Sequence, residues 1–154
     1  MSHVTATDPQ GTVTVTSQAL GEIQVPADAA VLFVDPMAGF PRSLRYALIP
    51  HTRPDGSEDP AVAWLQALDA PYHAFVVTDP WGIIPEYSPE ISDGDAEDLG
   101  LASFQDARVF GILTIPGGAK EITINLRAPI VVNVARRVAK QVVLLNDEYH
   151  TRHR

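Results

Sequence analysis

Carboxylates are the most concentrated reactive groups in the chain. Glu86, Glu90, Asp93, Asp95, Glu97 and Asp98 follow one another with no lysine or arginine between them. Paired carboxylates can perform acid–base catalysis, but one of them must be desolvated to hold a proton near neutral pH. Pro85, Pro89 and Gly94 mark this stretch as exposed, which does not supply that environment. Asp93-Gly94-Asp95 is a fragment of a calcium loop and lacks the remaining Asp and Glu positions. Two readings stay open, a plain solvated face or an anionic surface that docks a protein. Two aromatics stand close by, Trp81 and Tyr87. Trp81 follows Asp79-Pro80 in a loop-like context and suits either the core or a partner contact, whereas Trp64 lies in a strand-like run and reads as core.

Other reactive chemistry is sparse. The chain has no cysteine, which removes disulfides, thiolate metal sites and cysteine nucleophiles. No dinucleotide fingerprint, phosphate loop, serine elbow or zinc-protease motif is present. Gly117-Gly118 precedes Ala119-Lys120, but no Ser or Thr follows and no helix is expected there, so it reads as a hairpin turn. His150 and His153 lie in a basic tail without a third ligand, and read as solvated. The expectation is a chain with no catalytic residues, no cofactor and no metal.

The formal net charge is −8, and it is divided unevenly. Residues 1–107 carry 16 acids and 3 bases, and residues 108–154 carry 3 acids and 8 bases. The acidic front would repel phosphate and attract basic proteins. The start of the chain lacks a basic region followed by an apolar core, and no apolar run reaches the ~20 residues of a membrane helix. These features point to a cytoplasmic protein.

The elements around these residues are short β-type runs divided by turn residues. Runs at 12–16, 21–25, 30–34, 45–49, 62–68, 74–78, 109–115, 121–126, 130–134 and 140–145 predict about ten strands. Ala128-Pro129 is expected to break the eighth from the ninth. Thr52 to Pro60, with two prolines and a glycine, reads as an exposed loop. The one helix expected covers 92–100, with Ser92 as N-cap, Asp95 at the capping-box position and Gly100 as its stop. The predicted fold is all-β, an antiparallel pseudo-barrel with one short capping helix. Residues 12–145 form its single domain, 1–11 an extension expected to be disordered, and 146–154 a loosely held polar tail.

The pattern resembles the flagellar assembly factor FliW family. The stretches that carry the resemblance are Gly21 to Val25, Phe33 to Phe40, Trp64 to Pro71 with Ala74 to Pro80, Pro85 to Glu90, and Thr123 to Asn133 with Lys140 to Leu144. Pro41 departs from the family, which usually has an acid after the Gly-Phe pair. Ala135 to Ala139 also departs, where the family's last hairpin usually turns through Asn and Gly. The resemblance implies a non-enzymatic adaptor that binds flagellin in the cytoplasm. It also implies binding to CsrA, a small basic dimer that blocks translation of flagellin mRNA, by an allosteric contact. The expected partner-binding residues are Trp81, Glu86, Tyr87, Glu90, Asp93, Asp95, Glu97 and Asp98. An accessory module for RNA processing or the ribosome, using the basic C-terminal third, is the competing reading. A small-ligand barrel would need a deep pocket with converging polar groups.

Overall fold

Among the described residues, runs rich in apolar and β-branched residues form ten strands: β1 (Ala6–Thr7), β2 (Thr12–Ser17), β3 (Gly21–Pro26), β4 (Ala30–Phe33), β5 (Arg45–Thr52), β6 (Glu58–Ala67), β7 (Ala74–Thr78), β8 (Ala107–Thr114), β9 (Thr123–Asn133) and β10 (Val138–Gln141). Among the described residues one α-helix, α1 (Asp93–Leu99), lies between β7 and β8. The computed structural model describes residues 6–7, 12–18, 20–26, 29–37, 39–52, 54–114, 122–146 and 148–153. The turn expected at Gly117-Gly118 lies outside these residues.

Strands β4 to β10 close into a barrel in the order β10-β4-β5-β6-β7-β8-β9. Every pair in it is antiparallel except the closing one, where β10 runs parallel to β4. Strands β1 to β3 form a separate antiparallel sheet. That sheet packs Val13, Val15 and Val25 against Ala47 and Leu68 on the outside of the barrel. Strand β5 is therefore covered on both faces: Tyr46 points into the barrel core and Ala47 into the core beneath the sheet. A strand buried on both sides needs a continuous apolar run rather than alternation, which residues 46–49 supply.

Strand β9 does not break at Ala128-Pro129. It runs through as one strand, and the irregularity is absorbed as a bulge opposite Gly111. Ile130 pairs with Phe110 and Asn125 with Ile112, so β9 carries extra residues against β8. Pro129 sits in the stretch without a β8 partner, where its missing N–H costs no ladder bond. The Asn125 side chain accepts from the Arg127 and Ala128 N–H groups and holds the kink. The bulge reverses which face the even-numbered residues occupy. Ile124 and Leu126 face the outer core beneath α1, whereas Ile130 and Val132 face the barrel interior. Gly111 makes room at this point: a Cβ there would lie 2.5 Å from Ile124 Cδ1, and the Ile124 side chain would have to shift.

Other boundaries also differ from the sequence expectation. Strand β10 ends at Gln141, yet Val142 N–H still donates to Pro129 and Leu144 N–H to Arg127. The loop expected over 52–60 narrows, because Thr52 pairs with Glu58 across the β5–β6 hairpin. Between them the Asp55 carboxylate accepts from the Ser57 N–H and hydroxyl. The 134–137 turn lacks Asn and Gly but places Arg137 in the left-handed region at φ 55°. Asn133 holds that turn, its carbonyl accepting from Arg137 N–H and its side chain from Arg136 N–H. Strand structure begins earlier than expected, with Ala6 and Thr7 paired to Thr14 and Val13. The C-terminal residues are tied down rather than loose: His153 bridges to Ile124, and Leu126 N–H donates to His150. Asn146 is buried.

Candidate docking face

Helix α1 forms where the sequence predicts it. The Ser92 hydroxyl accepts from Asp95 N–H and donates to the Asp95 carboxylate, and Gly100 ends the helix at φ 67°. Asp93 and Asp95 in the first turn complement the helix dipole. Leu99 is fully buried against the outer core. The buried Asn133 amide donates to the Leu99 and Gly100 carbonyls, which fixes the C-terminal end of the helix to β9.

The charges on this face divide into two sets. Lys140 on β10 donates to Asp95 at 2.6 Å and to Asp98 at 2.8 Å, and Asp35 lies 3.6 Å away. Hydrogen bonds to Asp95 and then Asp98 raise the Lys140 ammonium above the usual lysine range. Asp95 and Asp98 therefore serve to hold α1 onto the barrel. Glu86, Glu90, Asp93 and Glu97 are exposed. Among the described residues no cation lies within ion-pair distance of any of the four.

The two aromatics do not project as anchors. Tyr87 is buried at 3% exposure, and its hydroxyl donates to the Leu126 carbonyl at 2.6 Å. Burial first, and Tyr149 second, push the phenol above its ordinary range. Tyr87 thus cannot offer its ring to a partner; its apolar ring is spent on the outer core. Trp81 is half-buried, its indole N–H donating to the Tyr87 carbonyl at 2.8 Å and its ring meeting Tyr87 edge-on. Asp79 caps the short 3-10 helix Pro80–Gly82 through Trp81 N–H. Trp64 on β6 is half-buried rather than core.

The loop that carries Glu86 and Glu90 is braced by the C-terminal segment. Ser88 N–H donates to the Tyr149 hydroxyl and Glu90 N–H to the Asn146 side chain, each at 2.7 Å. Leu145 N–H returns to the Glu90 carbonyl. Between loop and segment lies a cleft of about 420 Å³ lined by Ile84, Glu86, Leu126, Glu148, Tyr149 and the histidines 150 and 153. Sequence reasoning missed Glu148 and Tyr149. Some 60 positions separate them from the loop, as the 61-residue span of the Ser88–Tyr149 bond shows.

A second groove of about 490 Å³ opens at one end of the barrel over Leu48, Val77 and Phe110. Glu58, Asp59 and Asp79 also line it, and the Arg108 guanidinium lies 4.8 Å from the Phe110 ring centre. Below it Phe33, Tyr46, Leu65 and Ile130 fill the barrel interior. Near the far end, the Tyr46 hydroxyl meets His73 Nε2 at 2.7 Å, with Phe40 stacked on the imidazole. Burial lowers the His73 imidazole below its ordinary value and raises the Tyr46 phenol to about 12. No described helix is long and apolar enough to cross a membrane.

Residues 14–154 match the family model described as FliW protein. The flagellar assembly factor FliW of Pseudothermotoga lettingae is 36% identical over 135 residues, covering 87% of this chain and 83% of the relative. That of Thermotoga neapolitana is 36% identical over 140 residues, covering 90% and 91%. A crystal structure of the flagellar assembly factor FliW superposes with a TM-score of 0.80 at 30% identity, covering 92% of this chain and 95% of that one. The barrel, its capping helix and these likenesses agree, and the chain belongs to the FliW family of flagellar assembly factors.

Proposed function

We propose that the chain is a cytoplasmic, non-enzymatic adaptor that binds flagellin and antagonises the translational regulator CsrA through an allosteric protein contact. Flagellin that accumulates in the cytoplasm captures the adaptor, releases CsrA and stops further flagellin synthesis. The observation that supports this reading is the exposed acid set Glu86, Glu90, Asp93 and Glu97, left without a described counter-cation on the loop and helix of a chain in this family. A repressor that grips RNA must present a positive surface, and opposite charge speeds and orients its encounter with an acidic one. Flagellin takes a less charged surface. Asp95 and Asp98 support the face by anchoring α1, and Trp81 and Tyr87 stiffen its loop.

The test is size-exclusion chromatography of the purified protein with CsrA and with flagellin at mild ionic strength. Each should co-elute with the chain, and flagellin should displace CsrA. Elution of the chain alone in both mixtures would remove the proposal. A gel shift of RNA by the chain itself would transfer it to an RNA-associated module.

A further inference from the structure

The cleft between loop 84–88 and segment 148–153 has a chemistry that the acid run does not describe. Three residues with apolar surface, Ile84, Leu126 and Tyr149, line it beside two acids, Glu86 and Glu148, and two histidines, His150 and His153. No described group bonds or pairs with the side chains of Glu86, Glu148, His150 or His153. The segment is nevertheless anchored at several points. His150 and His153 carbonyls accept from Leu126 and Ile124, and Tyr149 is fixed both by Ser88 and by its ring contact with Tyr87 at 4.7 Å. Four ionisable side chains without a described partner therefore line one cleft of about 420 Å³, on a segment anchored to β9 and to the loop. A preorganised frame spares a ligand the cost of ordering the site.

We infer that this cleft receives a lysine or arginine side chain of a basic partner protein. The cationic head goes to Glu86 and Glu148, and the methylene stem lies on Ile84, Leu126 and the Tyr149 ring. The charge complementarity selects that occupant. Two acids lining one cleft repel anions, and the apolar residues that line it with them suit the amphipathic stem that lysine and arginine combine with a cation. The inference deepens the proposed docking function and rests on it for the identity of the partner, but not for the identity of the side chain.

The experiment therefore has two arms. In the first, N-acetyl-arginine amide and N-acetyl-lysine amide are titrated into the isotopically labelled protein and followed by NMR. Saturable shifts at the amides of Glu86, Ser88, Tyr149 and His150 are expected. Glu148→Gln should weaken that binding about fivefold, while Glu97→Gln on α1 leaves it unchanged. The absence of saturable shifts, or shifts indifferent to Glu148→Gln, would overturn the proposal. In the second arm, CsrA affinity should fall at least about fivefold in Glu148→Lys. If reversal of the outer acids weakens CsrA but Glu148→Lys does not, the cleft assignment fails and the docking reading stands. If arginine amide binds but CsrA binds no form of the chain, the cleft stands and the identity of the partner falls.

Discussion

Loop 85–90 and helix α1 belong to one acid run, but the fold spends their carboxylates differently. In α1, Asp95 and Asp98 close on Lys140 and join the helix to β10. In the loop, Glu86 and Glu90 stay exposed while their backbone and neighbours are braced by Tyr149 and Asn146. Asp93 and Glu97 on the helix side with the loop in this respect. Equal formal charge therefore hides two jobs. A paired carboxylate lowers the cost of holding an element in place, whereas an unpaired one on a rigid support is available to another molecule. The number of acids overstates the charge that the proposed docking face can offer, and the position of Lys140 tells which acids to discount.

The largest expected effect tests whether α1 is a structural lid. Leu99→Ala should cost about 3 kcal/mol in denaturant unfolding, through a cavity in the outer core. A change below about 0.5 kcal/mol, the range of ordinary surface substitutions, would mean that the helix is a loose attachment. Next in size, Lys140→Ala should cost about 2 kcal/mol, between the values for exposed and buried pairs, because it leaves Asp35, Asp95 and Asp98 facing each other. The same measurement on Glu86→Gln, Glu90→Gln and Glu97→Gln should move stability by less than about 0.5 kcal/mol. If the loop variants unfold as readily as Lys140→Ala, the two classes of acid collapse into one.

The smallest effect separates the charged anchor from the neutral core by pH. Lys140 has a folded pKa above its unfolded one, so its contribution is full below the ordinary lysine range and fades only as alkaline pH passes through the folded value. His73 is the opposite case for a base, since burial lowers its folded value. The unfolded chain then binds the extra proton, and stability falls as pH drops below the ordinary histidine pKa of about 6.5. Melting temperature should decline modestly from pH 7 to pH 5, and His73→Phe should flatten that slope. An unchanged slope in the variant would place the acid sensitivity elsewhere.

Much of this architecture is legible in local sequence. The α1 signals, Ser92, Asp95 and Gly100, act within a few residues of one another, and the structure uses each as its type predicts. The strand runs likewise carry their own alternation. What was not legible depends on distant contacts. Lys140 lies 45 positions from Asp95, and Tyr87 finds its acceptor on Leu126, 39 positions away. A tyrosine beside two prolines looks exposed until that outer core is assembled. Pro129 reads as a strand breaker because the bulge that tolerates it exists only once β8 pairs on both sides of Gly111. The polar C-terminal residues look free because their anchors are backbone bonds to β9, which side-chain types do not announce.

The most direct measurement is the CsrA affinity of the triple variant Glu86→Lys, Glu90→Lys, Glu97→Lys, across salt concentrations, beside the parent chain. The division of acids into anchors and docking groups predicts an unaltered melting temperature, weaker binding at low salt and a shallower salt dependence. Affinity equal to the parent's at every salt concentration would contradict it.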